Sequence, residues 1–222
     1  MRLPAFFDEV PTLRVADPLA KLFGCAADGV LEYSYRDAVR LAGHSCPTVA
    51  SAYWLTWLAL RNLYPDSLPQ RGGIRVEFAV DARTGSTGVV ATVVQMLTGA
   101  AGGSGFKGIA GRYGRAGLQR YSPGLPLYMR FTRLDTGAAV DAAVDLSMAP
   151  ASDALEILLA RLSKGLLDEQ GEIDMGREWQ ERVRHLLLDL AHDPGVFVVR
   201  RTERGGQHST SPNPTSGAAR RV

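Results

Sequence analysis

The sequence predicts an α+β fold: a mixed or antiparallel sheet packed against helices, in one domain over residues 1–200. Three observations predict it. Ile74, Val76, Phe78 and Val80 alternate with Arg75, Glu77 and Ala79, and Leu127, Met129 and Phe131 alternate with Tyr128, Arg130 and Thr132, the two-residue period of half-buried strands. Other stretches carry helical periods. Strands and helices do not take turns regularly along the chain, which disfavours a doubly wound parallel sheet.

Residues 1–33 read as an irregular or partly helical lead-in, with a short helix starting at Asp17-Pro18. A clearer helix begins after Ser34, an N-cap with Asp37 at the capping-box position, and stops at Gly43. Pro47 opens the next. Its run to Tyr64 holds Val49, Tyr53, Trp54, Trp57, Leu60 and Leu63 around most of the circumference, so it should be largely buried, and Pro65 ends it. A further apolar helix spans Ser86 or Thr87 to about Leu97. The strand around Leu127–Thr132 turns at Asp135-Thr136-Gly137 into a partner ending near Leu146. Amphipathic helices follow around Leu155–Leu162 and Trp179–Leu190, then a short strand at Val196–Val199. From 201 to 222 Gly, Ser, Pro, Thr and Asn take over, the composition of a disordered tail.

Composition excludes some functions. The 222 residues are 45% hydrophobic, enough for a core, and the net charge of +2 gives no global field for nucleic acid or an anionic membrane. No apolar run reaches the roughly 18 residues of a spanning helix. Two cysteines, Cys25 and Cys46, do not make a disulfide framework, and the N-terminus lacks a signal-peptide pattern. Together these give a cytoplasmic protein as the expectation, without membrane or nucleic-acid partners.

The main chemical feature is Gly43-His44-Ser45-Cys46-Pro47. With Pro47 as the first helical residue, Cys46 is the N-cap, and its sulfur meets unsatisfied N–H groups at the positive end of the helix. Such a place suits a nucleophilic thiolate or a soft metal ligand. His44, two residues earlier in an irregular joint, can converge on the same ion, and a thiolate with an imidazole suits zinc or another transition metal. Two ligands do not complete a site. By residue type, Cys25, Asp81, His185, His192 and, in the tail, His208 are candidates for the rest. The plainer reading is a buried Cys beside a helix-capping His. Cys46-Pro47 also matches the short dipeptide of haem-regulated proteins, so haem is an alternative cofactor.

The Gly-His-Ser-Cys-Pro segment and the small-residue apolar helix after it resemble the formylmethanofuran dehydrogenase E-subunit family. So does Gln95-Met96-Leu97-Thr98-Gly99 ahead of a glycine-rich loop, which is similar to the family's Gln-x-Leu-Thr-Gly segment. The resemblance covers roughly residues 30–135. It implies an α+β fold, a metal (usually zinc) on His44 and Cys46, and an accessory or small metalloenzyme role beside redox or one-carbon metabolism. The sequence departs from the family's pattern in having no cysteine within Thr87–Thr92 and alanines at 100 and 101, where members frequently carry thiols.

The loop from Gly99 to Gly108 follows a helix, and its Lys107 is followed by Gly108, so it is not a phosphate-binding P-loop. Its continuation carries Lys107, Arg112, Arg115 and Arg120 without an acid, with Tyr113 and Tyr121 interleaved. Flexible glycines and arginine forks suit an anionic small-molecule ligand, and Lys107, Arg112 and Arg115 are its candidate contacts. A solvated basic loop is the plainer reading, and four charges are a thin footprint for RNA. Asp141 and Asp145, four residues apart on one strand, are read as solvent-facing. Two other functions compete with the metal protein: a metal-free thiol enzyme with Cys46 as nucleophile and His44 as base, and a non-catalytic interaction subunit. The apolar helix would also serve a homodimer interface.

Overall fold

Leu13–Ala16 (β1) and Val30–Tyr33 (β2) pair antiparallel, Leu13 opposite Tyr33 and Ala16 opposite Val30. This small sheet, in a computed structural model that describes residues 3–202, replaces the irregular lead-in expected from the sequence. Its signal is short: Leu13 and Val15 point inward on either side of exposed Arg14, an alternation of only four residues. Between the strands, Pro18–Leu22 (α1) starts where expected, with Asp17 accepting from the N–H groups of Leu19 and Ala20 at 2.9 and 3.1 Å.

Tyr35–Ala42 (α2) begins at Ser34, whose backbone N–H and hydroxyl both donate to Asp37 at 2.8 Å. Removing that carboxylate in Asp37→Ala is expected to cost about 1 kcal/mol. In a domain of this size that lowers the thermal midpoint by roughly 2–4 °C, and an unchanged midpoint would contradict it. Gly43 closes α2 in the left-handed conformation at φ +77°. Pro47–Leu63 (α3) follows and is buried on nearly every side, as its composition predicts. Its polar ring atoms are satisfied by distant backbone. The Tyr53 hydroxyl donates to the Pro11 carbonyl at 2.7 Å, Trp57 to that of Thr12 at 3.0 Å, and the Trp54 indole to Ala191. These bonds clamp the lead-in and the turn after the last helix onto α3.

The remaining elements are Ile74–Phe78 (β3), Thr87–Thr98 (α4), Gln119–Tyr121 (β4), Met129–Arg133 (β5), Ala139–Val144 (β6), Asp153–Ser163 (α5), Glu169–Arg184 (α6) and Phe197–Arg201 (β7). A π turn at His185–Asp189 extends α6. The larger sheet has the order β4-β3-β5-β6-β7. β3 and β4 are parallel, connected through α4, and the other pairs are antiparallel. The fold is therefore α+β with a mixed sheet, and α3 packs against its β5, β6 and β7 strands on one side and α4 on another. Three-residue β4 is not evident in the sequence. Arg201 belongs to β7, one residue into the segment assigned to the tail, and residues 203–222 lie outside the described residues. Among the described residues no helix is long and apolar enough to cross a membrane.

One carboxylate departs from its reading. Asp141 does not face solvent: it is 5% exposed and takes a two-pronged grip from Arg130 on the neighbouring strand, at 2.6 and 2.8 Å. Asp145, beyond the strand end, instead caps the short 3-10 turn Leu146–Met148 through the Ser147 N–H.

Candidate functional site

Cys46 is the N-cap of α3, as the position of Pro47 requires. Its Sγ accepts from the Val49 N–H at 3.5 Å, and the residue is buried. The sulfur thus satisfies one of the helix's free N-terminal donors. His44 is exposed in the joint between α2 and α3, and its Nδ1 lies 3.0 Å from the Ala42 carbonyl. A carbonyl only accepts, so this contact is a hydrogen bond in the tautomer that carries its proton on Nδ1, which has its lone pair on Nε2.

Ser45, between them, fixes the joint from two directions. Its hydroxyl meets the Tyr35 hydroxyl at 2.9 Å. Its carbonyl accepts from the Trp179 indole at 3.0 Å and the Gln180 amide at 3.2 Å, both on α6. Burial pushes the Tyr35 phenol well above its usual range; the bond to Ser45 opposes the rise and nearby Cys46 adds to it. Gln180 Oε1 is buried without a hydrogen-bond partner. The sequence singles out neither Tyr35 nor the α6 pair. Trp179 and Gln180 are far from the motif along the chain, and nothing in their local pattern marks them.

An imidazole and a thiolate suit zinc by chemistry. By number they fall short: among the described residues no group of three or more His, Cys, Asp or Glu side chains is placed to hold a metal ion. None of the other candidates in the described residues joins such a group. Cys25 is exposed in the turn after α1, and Asp81 accepts from the Arg83 N–H at 3.0 Å. His185 pairs with Asp189 at 2.9 Å across the π turn, and His192 stands edge-on to Trp54. His208 lies outside the described residues. Two donors do not make a closed four-ligand zinc site.

The basic candidates separate. Arg112 and Arg115 line one cavity, together with Arg71, which the sequence does not single out; Lys107 is exposed and is not among that cavity's lining. Arg115 is only 6% exposed and donates to Asp17 at 2.8 Å, while Arg71 donates to the other oxygen of Asp17, also at 2.8 Å. Burial works against the Asp17 charge, but the Arg71 hydrogen bond, the Ala20 N–H and the two guanidinium charges outweigh it, so its carboxyl stays below the usual range. Burial lowers the Arg115 guanidinium, with Asp17 opposing. The Asp17–Arg115 pair cannot be read from spacing, since the partners lie in different loops, one on either side of α3 in the chain.

A scan against protein-family models finds no match for this chain, and a search of the curated proteins finds none either.

Proposed function

We propose that this chain is a transition-metal-binding protein of the formylmethanofuran dehydrogenase E-subunit type, holding zinc or a related ion through His44 and Cys46. In that role it serves as an accessory or small metalloenzyme beside redox or one-carbon metabolism. The observation that carries the reading is the contact of His44 Nδ1 with the Ala42 carbonyl, 3.0 Å away: with the proton on that nitrogen, Nε2 is the free donor to a metal. Metal-binding histidines are commonly oriented in this way, by a backbone carbonyl on the nitrogen that does not bind. Cys46 adds a sulfur at a helix N-terminus, where negative charge is favoured. Ser45, between the two donors in the chain, has its carbonyl gripped by Trp179 and Gln180. When bound, the metal supplies Lewis acidity and a place to activate water.

The test is elemental analysis of the purified full chain beside His44→Ala and Cys46→Ser. Near-stoichiometric metal in the wild type, lost in both variants, is the expected result. A folded wild type that carries no metal and resists reconstitution would sink the reading. A second reading, Cys46 as a metal-free reactive thiol, is supported by the Val49 N–H on its sulfur. It requires Cys46 to be alkylated by iodoacetamide faster than exposed Cys25 in metal-free protein.

A further inference from the structure

We propose that the cavity lined by Arg71, Arg112 and Arg115 binds a small oxyanion-bearing metabolite, a phosphate or a carboxylate. The cavity has a volume of about 360 Å³ and no acidic residue in its lining. Space of this order suits a small metabolite.

Charge around the cavity is not balanced by its own lining. Among the described residues Asp17 is the one carboxylate paired with this group, and it is saturated. It accepts from Leu19 N–H, Ala20 N–H, Arg71 and Arg115, which accounts for the four or so sites a carboxylate offers. Three arginines therefore line one cavity with one spent counter-charge behind them. Arg115 is the inner one: its Nη1 is buried without a hydrogen-bond partner and packs against Gly72 and Gly99, which leaves Arg71 and the exposed Arg112 to meet a ligand.

The loop that carries Arg112 is strained. Tyr113, on the cavity wall, has φ +62°, and Ala110 has φ +49°. These left-handed conformations are costly away from glycine, and such strain gathers at ligand sites. Mutual backbone hydrogen bonds between Ile109 and Arg112, both at 2.9 Å, hold the turn. The turn sets the Arg112 guanidinium 4.9 Å from the Tyr113 ring centre. Among the described residues Arg112 has no carboxylate partner, so it stands at the rim with its charge uncommitted. Guanidinium forks of this kind match the paired oxygens of phosphate and carboxylate.

The site shares no residue with the His44–Cys46 joint, and the proposal does not rest on the metal reading. Its test is calorimetric titration of the full chain with inorganic phosphate and, separately, with succinate, at ionic strength held constant with sodium chloride. Three proteins are compared: wild type, Arg112→Ala and, as a control for surface charge, Arg83→Ala. Saturable one-site binding of one probe is expected, weakened about tenfold or more in Arg112→Ala and unchanged in Arg83→Ala. Whichever probe binds names the oxyanion. Absence of saturable binding for both probes, or equal binding by wild type and Arg112→Ala, would overturn the proposal. Repeating the titration on Cys46→Ser keeps the two sites apart: binding retained there stands whatever the metal analysis returns.

Discussion

Asp17→Ala is expected to destabilise the protein by about 3–5 kcal/mol, the cost of stranding a buried charge whose partner is gone. Asp17 is 3% exposed and Arg115 is 6% exposed, so water does not replace the lost carboxylate at the Arg115 guanidinium. The change also removes the N-cap of α1 and the ion pair to Arg71. Urea denaturation monitored by tryptophan fluorescence measures it, and a loss below about 1 kcal/mol would show that the pair is not a structural tie. Asp17→Asn tests the charge alone. The folded-state carboxyl lies below its ordinary value of 3.8, so its stabilisation is present above that value and fades as pH falls through the lower folded one. Wild type should therefore lose more stability than Asp17→Asn as pH falls below 3.8.

Gly99→Ala is expected to cost about 2–4 kcal/mol, in two parts. Gly99 closes α4 at φ +73°, where an alanine is strained by about 1 kcal/mol. A Cβ there would also stand 1.9 Å from Arg115 Nη1, so the guanidinium must leave its place between Gly99 and Gly72. Gly43→Ala is the matched control. It has φ +77° at the end of α2 with open space around it, and only the conformational part should appear. Equal losses in the two variants would mean that Arg115 shifts without cost. Thermal or urea unfolding of both proteins reads the difference directly.

The contrast between Gly43 and Gly99 also marks what a sequence can disclose. Gly43 reads as a helix stop from local pattern and is one; Gly99 reads as the start of a loop after a helix ending near Leu97, and it closes α4. That Gly99 also makes room for an arginine depends on tertiary contact and has no local sign. The same division runs through the candidate site. Cys46 as N-cap, Pro47 as first helical residue and the capping of α2 by Ser34 and Asp37 follow from local chemistry and are legible in the sequence. The grip of Trp179 and Gln180 on Ser45, and the joining of Asp17 to Arg71 and Arg115, arise from packing between distant segments. Asp141 shows the opposite hazard: an acid in an alternating strand reads as solvent-facing until the cross-strand Arg130 is seen to cover it. The strands that the sequence does not disclose, β1, β2 and β4, are three or four residues long, too brief for their periods to rise above the surrounding pattern.

The position of β7 bears on how copies of this chain meet. Among the described residues it is an edge strand with one row of backbone donors and acceptors facing no other strand, and such an edge invites another strand to add to the sheet. It ends in Arg200, exposed, and Arg201, held against the Asn62 carbonyl. At the opposite edge β4 offers only three residues, one of them Arg120. Two copies approaching by these edges bring like charges together, a feature that opposes sheet-to-sheet pairing.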